Sequence, residues 1–506
     1  DRARQLAAEI KASDPLVEYA EPDRIMTIQI VPNDPSYTSQ WHYQSNPGGL
    51  NLPAAWDKTT GTGVTVAVID TGYRPHADLA ANIVPGYDFI TSSVVGNDGN
   101  GRDASALDPG DWAKAGECGT GSAAHNSSWH GTHTAGTIAA VTRNGVGVAG
   151  VAYGAKVQPV RVLGKCGGFT SDIADAIIWA SGGTVPGVPA NPTPARVINM
   201  SLGGPGACDN TSQNAINSAR SRNTVVVVSA GNSNADAAGF SPASCTGVIT
   251  VGAVGPSGAR SFYSNFGPLV DISAPGGDQS LGDTNGVYST LNAGTKGPGT
   301  DSYAWYQGTS MAAPHVAGVV ALMLARNPAL TPDDIDARLK ASVRPLPVAC
   351  AQGCGAGIVD ALAAVNAAVG AAPPPPPPPP PAPPAPPATN DIEPNETIAA
   401  AQSLTWPATV NGSFATSTDT DYYRISIGAG KTAVVTLAPN ATSDYDLYAY
   451  NEAGVRTLTS SAGPGQIDTV TLANPSTTTS MTAYVRAVYF KGGVGAAAGK
   501  YTLTIK

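Results

Sequence analysis

Residues 66–72 read Val66-Ala67-Val68-Ile69-Asp70-Thr71-Gly72. Four apolar residues in succession, with no polar alternation, do not suit a sheet that shows one face to water. Bounded by Gly63 and Gly72, the run reads as a strand buried on both faces. Further apolar, β-branched runs occur at 157–162, 196–200, 224–229 and 248–251. Stretches of helical spacing lie at 130–141, 171–180, 212–220 and 310–326. Doubly buried strands alternating with helices specify an α/β fold: a mostly parallel sheet with helices on both faces. Ligands bind such sheets in the crevice at the carboxyl ends of the strands. Asp70 closes its strand and occupies that position.

A carboxylate ending a buried strand is costly unless it is hydrogen-bonded or paired, and an imidazole meets that need. Six histidines are available. His42 lies in the Trp41-His42-Tyr43 packing segment, His76 and His125 in loops, and His315 within an apolar helix. His130-Gly131-Thr132-His133-Thr134-Ala135-Gly136 supplies the other two. His130 opens a helix and can face the crevice; His133, one turn in, reads as structural. The zinc reading of His-x-x-His lacks the glutamate of the usual helical signature. A hydroxyl comes from Gly308-Thr309-Ser310-Met311-Ala312-Ala313-Pro314. Ser310 precedes a long apolar helical run, where free N–H groups favour developing negative charge; Pro314 is expected in that helix's first turn. No Gly-x-Ser-x-Gly elbow surrounds Ser310, which argues against a lipase-like hydrolase. Carboxylate, imidazole and hydroxyl together can make a nucleophile of an alcohol. The reaction also needs oxyanion donors, and Asn232, after the buried run Val225–Ser229, can supply a side-chain NH2.

The remaining composition fits a compact extracellular protein. Charged residues make up 13% of the 506, and the formal charge is −9. No basic stripe exists to release counterions from nucleic acid, so that partner is excluded; the acidity is compatible with calcium. Six cysteines, Cys118, Cys166, Cys208, Cys245, Cys350 and Cys354, form no Cys-x-x-Cys pair. Three disulfides and an oxidising compartment follow. Of fifteen connectivities, local closeness favours Cys118–Cys166, Cys208–Cys245 and Cys350–Cys354. No apolar stretch approaches the ~20 residues of a membrane span. The chain begins at Asp1, with no visible signal peptide, so a processed or trimmed form is expected.

Three further segments differ in character. Residues 1–30 hold a mixed-charge helical pattern at 2–11 and an expected strand at 17–23. Residues 372–388 form a Pro-rich linker with nine consecutive prolines at 373–381; in polyproline II geometry 373–387 span roughly 45 Å. Residues 389–506 show short alternating strands at 421–427, 432–437, 445–450, 483–488 and 500–505, the pattern of an all-β antiparallel sandwich.

With Asn199-Met200-Ser201-Leu202-Gly203-Gly204 and Ser229-Ala230-Gly231-Asn232 added, residues 31–371 resemble the subtilisin-like serine proteases. The resemblance implies Asp70, His130 and Ser310 as catalytic triad and Asn232 as oxyanion donor. Ser201, Leu202, Gly203, Ala230 and Gly231 would be substrate-binding backbone walls. Ser241-Pro242-Ala243-Ser244 resembles a family segment whose proline is commonly cis. The implied calcium ligands are Asp34, Asp78, the Asn144 side chain and the carbonyls of Val141, Val146 and Val148. A loop with Asp98, Asp103, Asp108 and Asp111 resembles a second calcium insertion; a solvated acidic loop is the other reading. Residues 1–30 resemble the end of the inhibitory propeptide, with cleavage near Ile30–Val31. Residues 389–506 resemble the bacterial pre-peptidase C-terminal domain through Asp391-Ile392-Glu393-Pro394-Asn395, Asp419-Thr420-Asp421-Tyr422-Tyr423 and Asp444-Tyr445-Asp446-Leu447-Tyr448. The expectation is a secreted, calcium-stabilised, monomeric endopeptidase acting on proteins or peptides. Phe240, near the expected pocket, points to broad tolerance with an apolar or aromatic bias.

Overall fold

A computed structural model describes all residues except 1, 15, 22–30, 371–388, 406, 441, 462, 475, 477 and 506. The chain divides into two compact units, residues 1–376 and 377–506. The polyproline spacer expected at 373–387 lies outside the described residues.

The first unit is built on seven strands: β1 (Thr65–Asp70), β2 (Tyr87–Asp88), β3 (Lys156–Arg161), β4 (Val197–Met200), β5 (Val225–Ser229), β6 (Ile249–Val254) and β7 (Ile272–Pro275). Their order is β2-β3-β1-β4-β5-β6-β7, and every pair is parallel. Side chains alternate across the sheet. Val66 and Val68 enter one apolar layer, and Ala67 and Ile69 the other. Val225 and Val227 are divided from Val226 and Val228 in the same way. Helices α1 (Arg2–Ser13), α2 (His130–Ala139), α3 (Thr170–Ala180), α4 (Asn210–Ser221) and α5 (Thr309–Arg326) fall close to their expected spans. α2 and α5 supply the first layer, α3 and α4 the second. Among described helices only α5 is long and apolar enough to cross a membrane, and it is buried in this core.

Two local expectations fail. Residues 17–21 form bends and coil rather than a strand, and 22–23 lie outside the described residues. A strand needs a partner edge, and among the described residues none pairs with 17–21. Pro314 is not in the first turn of α5 but inside the helix, as its sixth residue. With no N–H, it leaves the Ser310 carbonyl without its i+4 donor. The Ser201 hydroxyl fills that role at 2.7 Å. Disulfides join Cys118–Cys166, Cys208–Cys245 and Cys350–Cys354.

The second unit holds two five-stranded sheets. One contains Ala408–Ser413, Thr432–Pro439, Asp468–Ala473 and Lys500–Ile505; the other contains Thr420–Ile427, Asp444–Asn451, Arg456–Ser460 and Met481–Lys491. These pair antiparallel, while the short strands Thr389–Asn390 and Gln402–Leu404 add in parallel. One apolar core, with Phe414, Tyr423, Leu447 and Leu503, fills the space between the sheets.

Candidate active site

The end of β1, the start of α2 and the start of α5 each contribute one polar side chain. Asp70 is fully buried, yet its carboxylate is satisfied. It accepts from the Thr71 N–H (2.7 Å), from the Thr134 hydroxyl (3.4 Å) and from His130 Nδ1 at 2.8 and 2.9 Å. That contact makes Nδ1 the donor and leaves Nε2 as the basic nitrogen. Burial alone would lower the proton affinity of His130. The charge and hydrogen bond of Asp70, with Asp111 and Asp108 beyond, outweigh it and raise the pKa above 6.5. His130 is the first residue of α2, after Trp129 in a left-handed conformation (φ 49°). His133 is structural, as its place one turn in suggests: Nε2 faces the carbonyls of Val287 and Ala304 at 3.1 Å.

Ser310 is the second residue of α5. α2 and α5 pack against one another. The Ser310 hydroxyl donates to the Ser201 carbonyl at 3.2 Å, and among the described residues no hydrogen bond joins it to His130. Asp70 and His130 are directly paired, while the Ser310 hydroxyl is turned toward Ser201, just past the carboxyl end of β4. Its N–H, one of the unpaired donors of a helix start, has no protein acceptor among the described residues. The Thr309 N–H and hydroxyl both donate to Asn232 Oδ1 at 2.9 Å. This fixes the amide and points Nδ2 the other way. Thr309 also accepts from the Gly231 N–H at 3.1 Å. Gly231 has φ +105°, and a Cβ there would lie 2.3 Å from Asn265 Nδ2. Asn265 in turn holds the loop through Ala230 O, Ser233 N–H and Ala235 N–H.

Ser310 and Asn232 line one cleft of about 860 Å³ together with Ser201, Leu202, Gly203, Ala230 and Gly231. Its apolar floor includes Leu163, Ile177 and Met200, and Phe240 stands at its edge. The Ser241–Pro242 peptide beside it is cis. Sequence reading missed the supporting roles of Thr309, Thr71, Thr134 and Asn265. Thr134 had a signal, since it lies one helical turn from His130; Asn265 had none.

Asp34 and Asp78 are brought together under the loop 141–148. Asp34 accepts from the N–H groups of Arg143 (2.9 Å) and Asn144 (3.3 Å). Asp78 accepts from the Val148 N–H and from Asn144 Nδ2, both at 2.8 Å. Burial, and secondarily the charge of Asp34, pushes the Asp78 carboxyl up to about 6. The carbonyls of Val141, Val146 and Val148 accept no hydrogen bond among the described residues. Asn144, by contrast, presents its nitrogen to Asp78, while its Oδ1 accepts from Val146 N–H (2.8 Å).

The second acidic loop does not gather. Asp98 pairs with the buried Arg161 (2.6 Å). Asp103 accepts from Asn100 and Ser105, both at 2.6 Å. Asp108 accepts from the Thr71 hydroxyl (2.7 Å) and Asp111 from Ser128 (2.6 and 2.7 Å). In this structure each carboxylate accepts from a different partner.

Comparison with known proteins identifies the family. A sequence model described as the subtilase family matches residues 61–357. An extracellular protease of Xanthomonas campestris is 58% identical over 367 residues, covering 72% of this chain and 61% of its own length. An extracellular basic protease of Dichelobacter nodosus is 48% identical, covering 71% and 60%. The chain thus spans about three fifths of the length of these relatives. A solved protease structure from Pseudoalteromonas arctica is 62% identical with a TM-score of 0.66, covering 67% of this chain and all of its own. With the family model matched over more than half of its length, the chain belongs to the subtilase family.

Proposed function

We propose that the chain is a secreted serine endopeptidase that cleaves proteins or peptides through an acyl-enzyme. The observation carrying this is the buried Asp70–His130 pair, set behind a cleft that holds Ser310 and the oriented Asn232 amide. Rotation about the Ser310 Cα–Cβ bond would move Oγ from the Ser201 carbonyl to His130 Nε2. His130 takes the proton as Oγ attacks the scissile carbonyl and later returns it to the leaving amine. Asp70 holds the imidazole in one tautomer and stabilises its charged form. Asn232 Nδ2 and the Ser310 N–H receive the oxyanion. The Ser201 carbonyl, freed from Oγ, joins the backbone at Leu202, Gly203, Ala230 and Gly231 in pairing with an extended substrate. The apolar floor and Phe240 favour apolar or aromatic side chains.

Calcium would serve structure, not chemistry. Asp34, Asp78 and the free carbonyls of Val141, Val146 and Val148 form an all-oxygen set suited to it. Asn144 joins only if Oδ1 leaves the Val146 N–H. Secretion is supported by the three disulfides and by the relatives' names. Residues 1–30 are read as the remnant of an inhibitory propeptide and 389–506 as a pre-peptidase C-terminal domain, in a monomer.

A serine-directed phosphonylating inhibitor tests the reading. Covalent mass added at Ser310, absent in Ser310→Ala, is expected together with peptide hydrolysis in the unmodified chain alone. A folded chain that takes no label would refute it.

A further inference from the structure

Residues 389–506 contain three arginines, Arg424, Arg456 and Arg486, and all three project from one face of one sheet. Successive side chains alternate across a strand. Tyr423, Leu447 and Val485 point into the core of the second unit, so the residues on either side of them point outward. Across the strands Thr420–Ile427, Met481–Lys491 and Asp444–Asn451, Arg486 stands between Tyr422 and Tyr448. In the next outward row Arg424 stands opposite Tyr484, Tyr484 opposite Tyr450, and Tyr450 opposite Arg456 of the strand Arg456–Ser460. Rings and guanidinium groups therefore share two rows about 6.8 Å apart, with neighbours about 4.8 Å apart within each row.

These cations are held in place without being neutralised. The Arg486 guanidinium lies 5.3 Å from the centre of the Tyr422 ring, and the Arg456 guanidinium 5.3 Å from that of Tyr448. A guanidinium over a ring is attracted to its face and can still turn N–H groups to solvent. Among the described residues none of the three arginines forms an ion pair. The outward carboxylate of these strands, Asp446, is itself buried and accepts from the Tyr448 hydroxyl at 3.2 Å. The other sheet of the unit differs: its outward face sets Thr409, Thr504, Thr436 and Thr469 in one row. Rings and cations are thus a property of one face and not of strand composition in general.

We propose that this face binds a carboxylated polysaccharide. A tyrosine ring offers an electron-rich face to the C–H groups of a sugar. A guanidinium fork matches a carboxylate through two parallel hydrogen bonds. A flat sheet suits a polymer lying across it, whereas a small molecule needs a concave site. An acidic peptide would engage the arginines and leave the four rings idle; a neutral polysaccharide would do the reverse. Residues 389–506 hold nine acidic and seven basic residues, so the unit as a whole repels a polyphosphate. A chain of sugar rings bearing carboxylates meets both kinds of group at once. Bound there, it would hold the peptidase at surfaces coated with such a polymer.

The test is retardation in native gels loaded with sodium polygalacturonate, relative to polymer-free gels, on the full chain carrying Ser310→Ala to prevent self-cleavage. Arg424 and Arg456 are exposed, so Arg424→Gln combined with Arg456→Gln removes charge and leaves the core alone. Far-UV circular dichroism confirms the fold. The parent is expected to be retarded, and the double variant to bind at least tenfold more weakly. Lys500→Gln, on the opposite sheet, should bind like the parent. Hydroxyethylcellulose, polyglutamate and a single-stranded oligothymidylate should each compete at least tenfold less well than free polygalacturonate. A parent that is not retarded overturns the proposal, as does unchanged affinity in the folded double variant. So does an equal loss in Lys500→Gln, or equal competition by the neutral polymer, the acidic peptide or the nucleic acid.

Discussion

His130 Nδ1 lies 2.8 and 2.9 Å from the two carboxylate oxygens of Asp70, so its N–H is shared between both. Burial disfavours its charged form, yet Asp70, and beyond it Asp111 and Asp108, lift its pKa above 6.5. A general base works only when neutral. Activity should therefore fall as the pH drops through a value above that of an ordinary imidazole. Asp70→Asn should move the inflection of kcat/KM on a neutral peptide downward and lower kcat about 10⁴-fold, the loss known for that substitution in a serine protease triad. An inflection that stays put in the variant would exclude Asp70 as its cause.

The Asn232 amide is oriented by accepting twice from Thr309, which frees Nδ2 for the cleft. Asn232→Ala should lower kcat about 10²–10³-fold with KM little changed. That magnitude is the one measured on the corresponding asparagine of subtilisin and is not obtained from this geometry. Thr309→Val, which loses the hydroxyl but keeps the backbone donor, should fall between the parent and Asn232→Ala. Steady-state kinetics on a chromogenic peptide checks the order; equal rates for Thr309→Val and Asn232→Ala would reject it.

Ser201 and Pro314 form a compensating pair. The proline removes the donor due to the Ser310 carbonyl, and the Ser201 hydroxyl replaces it at 2.7 Å. Ser201→Ala should leave that carbonyl unpaired at the helix start and destabilise the first unit by about 1–3 kcal/mol. Denaturant unfolding of the Ser310→Ala background measures it. A shift under a few tenths of a kcal/mol would mean that water serves the carbonyl equally well.

The sheet was legible because its strands are apolar without alternation, so periodicity and burial agree at Val66–Ile69 and Val225–Val228. Positions fixed by long-range partners were not. Pro314 carries no sign that Ser201, over a hundred residues earlier, would take the place of its missing donor. Asp98, Asp103, Asp108 and Asp111 have the spacing of a cation loop, but that spacing carries no sign that Arg161, Asn100, Thr71 and Ser128 bond to them. The expected strand at 17–23 had suitable residues, yet among the described residues 17–21 pair with no edge. The rotation of Ser310 toward Ser201 is a side-chain torsion, on which sequence is silent.

Gly147 shows why the loop over Asp34 and Asp78 tolerates little change. It has φ +52°, and a Cβ there would come within 2.3 Å of Asp78 Oδ2 and 2.0 Å of the Tyr303 hydroxyl. The loop holds two carboxylates close together, and Asp78 resists ionisation mainly through burial. A bound cation would favour both ionised groups and the folded loop at once. Ion present at 100 times its Kd contributes about 2.7 kcal/mol, worth roughly 3–4 °C in a unit of this size. Chelation should therefore lower, by that amount, the temperature at which half the peptidase activity survives heating. Asp78→Ala should start from the lower temperature and respond no further to chelator. A parent enzyme whose inactivation temperature ignores chelator would show that the loop closes through its own hydrogen bonds alone.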